Sequence, residues 1–420
     1  DIERNFRAKT VTASITGVCI QIDTSAGKLG TWMTLAGRKL RRAKAAKAEL
    51  SVLPVEPYLR LCNSCGQYPA VDRAQDGSGD WLCRACHEKR RMGAQKRKGF
   101  FVEFVGQADP AIWAEVELAD DLDGIGTVSF PPGYVGFIAL DGNHTGNLLG
   151  RLSTREAYRK FSEGLENLTK EQTFEALKKY GKPRDGTAPF EIVLIGGDDV
   201  LLITAADIAI EVALVIAEGF EDRSQTLLVN AGLADERKTL TMAAGVVLAH
   251  ADFPIPAMYA LAEDLQKSAK KLCAEQNYQT GAIDFQVVSG SDADLEALRE
   301  AIPHHRPYTL AQLRSLVRHI EQLKQDNFPM SQLQAMYQAL FEGEVNAQLA
   351  SIATLGYLGR SADTTRYQHL KDFFKDFGVQ LDGQLPPWNE ERGKRLGRKT
   401  SALTDLVELY PFIVPKGEAE

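Results

Sequence analysis

The chain has 420 residues, of which 44% are hydrophobic and a quarter charged, with a formal net charge of −7. That length holds two or three domains, each with its own core, and the acidic balance excludes a protein that coats nucleic acid by bulk charge. No apolar run reaches the roughly 20 residues of a membrane span and no charged-then-apolar leader opens the chain, so a cytoplasmic protein without a membrane partner is expected.

Residues 9–22 alternate in polarity as a strand does. Leu29 to Leu50 then turns to helical periodicity, with Arg38, Lys39, Arg41, Arg42, Lys44 and Lys47 giving it a basic side, and Pro57 to Leu61 reads as a short strand. Next come Cys62-Asn63-Ser64-Cys65 and Cys83-Arg84-Ala85-Cys86, two C-x2-C pairs seventeen residues apart. Four thiolates so spaced close a tetrahedral shell around one Zn²⁺, and a shell with no open position is structural rather than catalytic. The basic residues Lys89, Arg90, Arg91, Lys96, Arg97 and Lys98 follow, a run that suits RNA or an acidic partner. Residues 100–132 read as short strands and loops with an acidic patch at Glu115, Glu117, Asp120, Asp121 and Asp123.

Tyr134 to Leu140 is a buried strand ending at Asp141, and Gly142-Asn143-His144-Thr145-Gly146-Asn147 follows. A carboxylate at a strand end before a glycine-bearing loop can hold a metal while backbone N–H groups receive a triphosphate; the same pattern also serves an ordinary capped strand-to-helix turn. Helical patterns cover 154–180. Then Ile192 to Ile195 and Val200 to Ile203 flank Gly196-Gly197-Asp198-Asp199, a hairpin with two carboxylates at its tip. Such a turn suits a hard divalent cation, although Gly and Asp are also plain turn formers. A helix at 207–219, a polar insertion at 221–241, a strand at 243–249, a helix at 256–274 and a strand at 282–289 complete a βαββαβ, ferredoxin-like palm of the α+β class, in which Asp141 faces Asp198 and Asp199. Converging acids call for cations. Lys267, Lys270 and Lys271 lie on the helix before the last strand, within reach of phosphates or of solvent. From Pro307 onward Leu310, Leu313, Leu316, Ile320 and Leu323, and later Leu403, Leu406 and Leu409, mark an all-helical domain, with a loop at 383–399. The expected domains are a partial first palm with its zinc-binding insertion at 62–86 and a connecting segment (1–132), a second palm (133–292) and the helical domain (300–420).

The four-cysteine knuckles, Asp141-Gly142-Asn143, the Gly196-Gly197-Asp198-Asp199 hairpin, Ala243-Ala244-Gly245 through His250 with Phe253-Pro254, Ile283 through Gly290, and the helical tail occur in one order. In this the chain resembles the large, signature palm-domain subunit of type III CRISPR effector complexes. The resemblance implies a metal-dependent nucleotidyltransferase that turns ATP into cyclic oligoadenylates. It implies Mg²⁺ or Mn²⁺ on Asp141 and Asp198, with Asp199 supporting, and a nucleotide site at Gly142, Asn143, His144, Gly146, Gly196 and Gly197 with Lys267 or Lys270 on the triphosphate. It implies guide RNA, target RNA and the other subunits of such a complex as partners. The chain departs from many relatives in carrying Asn143 for an aspartate and Ala243 for a serine, in lacking the amino-terminal His-Asp nuclease domain, and in an incomplete first palm. No DNA cleavage is therefore expected. Two other readings stand beside the synthase: a degenerate palm that binds guide RNA and partners without turnover, and a stand-alone palm cyclase that makes a cyclic dinucleotide as a dimer.

Overall fold

The computed structural model describes residues 16–22, 29–46, 58–74, 77–152, 154–235, 238–290, 294–300, 302–360, 364–379, 381 and 385–415. They fall into two compact units, one of residues 1–107 and 146–161, the other of residues 108–145 and 162–420. In the first, α1 (Leu29–Ala45) stops short of the expected Leu50, and Lys47 lies outside the described residues. Residues 16–22 are irregular rather than strand, and 9–15 lie outside the described residues. Pro57 does too, and the strand expected there is reduced to one bridge between Leu61 and Pro69. A two-stranded ladder of β1 (Asp72–Arg73) and β2 (Trp81–Leu82) leads into α2 (Arg84–Val105).

The second unit opens with α3 (Pro110–Trp113), β3 (Glu117–Leu118) and α4 (Leu122–Thr127). The strands and loops expected over 100–132 are thus about half helix, with one two-residue strand and loops between. Part of the acidity there caps these helices: Asp109 accepts from the Ala111 N–H at 3.0 Å, and Asp121 from the Gly124 N–H at 2.9 Å. In chain order next come β4 (Tyr134–Gly142), α5 (Thr145–Leu149) and α6 (Arg155–Tyr180), of which residues 146–161 belong to the first unit, then β5 (Thr187–Ala188), β6 (Phe190–Gly196), β7 (Asp199–Ala205), α7 (Ala206–Asn230), β8 (Met242–His250), α8 (Ile255–Glu275), β9 (Ala282–Val287), α9 (Leu295–Glu300) and β10 (Tyr308–Thr309). Six strands make one sheet in the order β10-β9-β8-β4-β7-β6. The β4–β7, β4–β8, β6–β7 and β9–β10 ladders are antiparallel and β8–β9 is parallel, α8 forming the crossover that a parallel pair requires.

Central β4 is buried on both faces, which its unbroken apolar run foreshadows. Two glycines let helices close on its sheet. A Cβ on Gly136 would lie 2.3 Å from the Ala209 Cβ of α7, and one on Gly245 would lie 2.1 Å from the Ala262 carbonyl oxygen of α8. Gly245 pairs with Ala139 of β4. Positions 136 and 139 of one strand face opposite ways, so α7 and α8 cover opposite faces of the sheet. Helix α7 also runs on to Asn230 into the segment read as a polar insertion: Phe220, Ser224 and Leu228 recur at helical spacing and are buried, Asp222 and Arg223 face outward, and half-buried Glu221 accepts from the Gly281 N–H at 2.8 Å.

The tail holds α10 (Leu310–Gln325), α11 (Met330–Glu342), α12 (Glu344–Leu358), α13 (Thr365–Asp376), α14 (Glu390–Leu396) and α15 (Ala402–Leu409). A capping box of Thr309 and Gln312 starts α10. Fully buried Asp405 on α15 ties this tail to the sheet. It accepts from the backbone N–H groups of His305 (2.8 Å) and Arg306 (3.0 Å) and from the Tyr308 hydroxyl (2.5 Å), and pairs with Arg306 Nε at 3.0 Å. Arg306, equally buried, reaches Glu408 at 2.5 Å and donates to the Phe285 carbonyl of β9 at 3.2 Å. Removing one member of such a set strands the others without water. Asp405→Ala is therefore expected to destabilise the second unit by about 3–5 kcal/mol, read as a shift of the urea midpoint.

Candidate active site and four-cysteine centre

Residues 134–142 deliver Asp141 to the sheet end, and the β6–β7 hairpin delivers Asp198 and Asp199. Leu140 of β4 pairs with Val200 of β7, so Asp141 stands one step beyond that pair, beside Asp199. Gly196 pairs with Asp199, which leaves Gly197 and Asp198 as a two-residue turn. Gly197 has φ +65°, the first central position that a II′-type hairpin turn reserves for glycine. Gly142 is required for another reason: a Cβ there would lie 2.6 Å from Asp198 Oδ2.

The three carboxyls are crowded. Burial pushes the Asp199 carboxyl up first, then a hydrogen bond with Asp141 and the charges of Asp141 and Asp198, to about 7. Burial also raises Asp198, against the hydrogen bond it accepts from the Thr145 hydroxyl. Lys270 of α8 counters the charge, its Nζ 2.6 Å from Asp141 Oδ2. Oxygen donors short of positive charge fit a hard divalent cation, and Asp141, Asp198 and Asp199 are the residues that could hold one.

Several expected site residues stand elsewhere. Lys267 is paired with Asp264 at 2.8 Å, one turn back on α8, and does not reach the acids. Asn143 is 3% exposed; its side-chain amide donates to Thr241 Oγ1 at 3.0 Å and its backbone N–H to the Thr241 carbonyl at 2.8 Å, so neither faces a ligand at the acids. Ala243 packs in a buried cluster with Ala269, Leu272, Cys273 and Ala282. His144 takes a left-handed φ of 62° and sets its ring against Tyr278, centroids 4.1 Å apart. Gly146 follows in the first turn of α5 and Gly196 ends β6. Thr145 and Tyr278 escaped the sequence reading. A hydroxyl four residues after Asp141 was the one available signal for the first, and nothing local marks the second.

The other cluster lies in the first unit. Among the described residues Cys62, Cys65, Cys83 and Cys86 are the group whose potential metal-ligating atoms all lie within 4.8 Å of one another. Cys65 Sγ and Cys83 Sγ are 3.9 Å apart. Tetrahedral Zn–S bonds of about 2.3 Å imply an edge of roughly 3.8 Å, so the four sulfurs could hold zinc as they stand. Burial drives the Cys62 thiol up, but hydrogen bonds from the Cys83, Cys65 and Ser64 backbone outweigh it and bring it down to about 6. Burial and the neighbouring Cys83 sulfur push Cys86 up to about 12. A shell with a ready thiolate at Cys62 and with Cys83 and Cys86 resisting ionisation is completed by a cation. Gly66, at φ +63°, turns the first knuckle, and Cys83 caps α2.

Residues 134–279 match the family model described as Cas10/Cmr2, second palm domain. The chain carries a Cas10/Cmr2 second palm. All three carboxylates of the site, Lys270 and Thr145 lie inside the matched Cas10/Cmr2 segment. Among solved structures, Csm1 in T. onnurineus is 13% identical with a TM-score of 0.45, covering 70% of this chain and 39% of that one. A Csm1–Csm4 cassette in complex with cA4 is 14% identical with a TM-score of 0.39, covering 69% and 38%. A Csm1–Csm4 subcomplex in the type III-A CRISPR-Csm interference complex is 13% identical with a TM-score of 0.40, covering 69% and 37%. The chain spans under two fifths of the length of these chains. No curated protein matches.

Two outcomes follow for the centres. In the metal-free palm the raised Asp199 favours the protonated form, so stability falls as pH rises from the ordinary carboxylate range to about 7. A cation must displace that proton. Mn²⁺ affinity should therefore rise with pH up to about 7 and level off above it, with proton release at pH 6 that vanishes by pH 8, measured by calorimetry in two buffers of different ionisation enthalpy. At the cysteines, the protein should contain about one zinc per chain, lost in Cys83→Ser, with the knuckle becoming protease-sensitive when a chelator strips the metal.

Proposed function

We propose that the chain is a metal-dependent nucleotidyltransferase that makes cyclic oligoadenylates from ATP, as the palm subunit of an RNA-guided type III CRISPR complex. The observation that carries this reading is the meeting of Asp141, Asp198 and Asp199 with one lysine at the strand ends of a segment matching the Cas10/Cmr2 second palm. The palm is read as ferredoxin-like: the order β8-β4-β7-β6 is that of a βαββαβ unit, with β9 and β10 added beyond it. The domain reading goes with it, a partial first palm at 1–132, the second palm at 133–292 and a helical domain at 300–420.

Asp141 and Asp198 would be the main ligands for Mg²⁺ or Mn²⁺ and Asp199 a supporting one. When bound, such ions lower the pKa of an attacking 3′-hydroxyl and neutralise charge on the pyrophosphate that leaves. Thr145 fixes the Asp198 carboxylate by donating to it, and Gly142 keeps the space into which that carboxylate points. Lys270, released from Asp141 by an incoming cation, would offer its ammonium to the triphosphate. Neutral pH suits the site, since Asp199 must give up its proton near 7 before it can support a metal.

A second reading, a scaffold that binds RNA and partners without turnover, is favoured by the Asp141–Lys270 pair and by the inward-turned Asn143. ATP turnover with Mn²⁺ separates the two, measured with products resolved by chromatography, with copurifying subunits and target RNA present. The synthase makes oligoadenylate, and Asp198→Ala/Asp199→Ala lowers the rate by more than the roughly 10–100-fold that losing a hydrogen-bond partner of a ligand costs. An RNA-binding complex that leaves ATP untouched would establish the scaffold.

A further inference from the structure

The four-cysteine knuckle carries two arginines that its own fold does not use. Arg60 lies with its guanidinium carbon 4.9 Å from the centre of the Trp81 ring, and Arg73 with its own at 5.2 Å from the same ring. Arg73 and Trp81 are cross-strand partners in the β1–β2 ladder. The tryptophan is fixed in turn: its backbone N–H donates to Asn63 Oδ1 at 2.8 Å and its carbonyl accepts from the Asn63 N–H at 2.8 Å, while its neighbours Leu82 and Cys83 are buried in the sulfur cluster. Both arginines are exposed, and among the described residues neither has a carboxylate partner. Arginines of the following helix are treated differently: Arg90 pairs with Asp80 at 2.7 Å and Arg91 with Glu88 at 2.9 Å.

A guanidinium laid on an indole keeps its charge and its in-plane N–H donors. A contact of this kind leaves the donors uncommitted, and with no carboxylate partner among the described residues they remain available to a ligand. Donors so left suit bidentate binding of a phosphate, with part of the ordering entropy already spent in folding. Arg84 and Lys89, both exposed and without an ion pair among the described residues, add cations from α2. Tyr58, two residues before Arg60, is 99% exposed. An aromatic ring offered to solvent two residues from one of these guanidiniums fits a strand with phosphates and unpaired bases, since every base can stack on it. An acidic peptide would leave that ring without a role.

We propose that the Arg60–Trp81–Arg73 face of the knuckle binds single-stranded RNA, the two guanidiniums taking backbone phosphates and Tyr58 stacking on a base. The preference for a single strand rests on these residues; the choice of RNA over DNA rests on the RNA-guided reading given under the proposed function.

The test uses the full zinc-loaded chain and fluorescence anisotropy with a labelled 20-nucleotide single-stranded RNA, the DNA of the same sequence, its duplex, and an oligo-glutamate peptide as probes. Arg60→Ala/Arg73→Ala should weaken RNA binding at least about tenfold and lower the slope of log affinity against log salt by about 1.4, two phosphate contacts at roughly 0.7 each. Tyr58→Ala should weaken it severalfold and leave that slope unchanged. Arg60→Lys/Arg73→Lys should keep the slope and lose affinity, because a lysine keeps the charge without the planar fork. Zinc content and circular dichroism equal to the parent's certify that each variant is folded. Unchanged affinity and slope in a folded Arg60→Ala/Arg73→Ala chain would overturn the proposal, as would equal binding of the peptide or the duplex; tighter binding of the DNA overturns the choice of RNA. ATP turnover measured on the same preparations keeps the two readings apart. A chain that turns over ATP with RNA binding indifferent to these arginines sinks only this proposal, and one that binds RNA through them without turnover sinks only the synthase.

Discussion

Like charges held at one end of a sheet govern the second unit. The register of β4 against β7 sets Asp141 beside Asp199, and the two-residue turn adds Asp198, so three carboxyls share a space where water is already thinned. Repulsion of that kind must be met within the fold or by something brought to it. The chain meets it in part, with a lysine from the crossover helix, a threonine hydroxyl and a proton retained near neutrality. Gly142 is glycine because the crowd leaves no room for a side chain.

How much of this was legible depends on whether the cause was local. Tyr134 to Leu140 and Val200 to Ile203 are apolar without a break, so their burial in a sheet could be read directly, as could the turn that Gly197 permits and the helical repeat from Leu310 to Leu323. The full length of α7 could not. Its last turns carry charges on the outside, and only the sheet reveals which side is inside. The same holds for α8: periodicity makes it a helix, but a contact between Gly245 and the Ala262 carbonyl decides which face it covers and why Lys270, not Lys267, reaches Asp141. Asn143 was read as part of a ligand loop because it follows an aspartate and a glycine. Its partner, Thr241, is 98 positions away, and no local pattern announces it.

The cysteines show the opposite balance. A tetrahedral shell needs ligands at short, fixed spacings, so its chemistry is written in the local sequence. What the shell supports is not. Arg60 lies in the stretch whose pattern reads as a short strand, and nothing local marks Arg73; the register Arg73 to Trp81 brings the latter onto the indole. Buried charge in the tail was equally hidden, since Asp405 gathers its donors from residues about a hundred positions upstream.

The closeness of α8 to the sheet also sets a clock. With the Ala262 carbonyl against the place where Gly245 lacks a side chain, α8 has little freedom to slide or rotate on β8, and its backbone must hold the root of Lys270 still. Only the lysine's own partly exposed side chain is free to leave Asp141. Under the proposed reading, a cation reaching the carboxylates would need a change of Lys270 rotamer, an event of picoseconds to nanoseconds in an exposed side chain, and the loss of the Asp199 proton, but no movement of α8. The part that moves would be one flexible chain of four methylenes on a helix held in place.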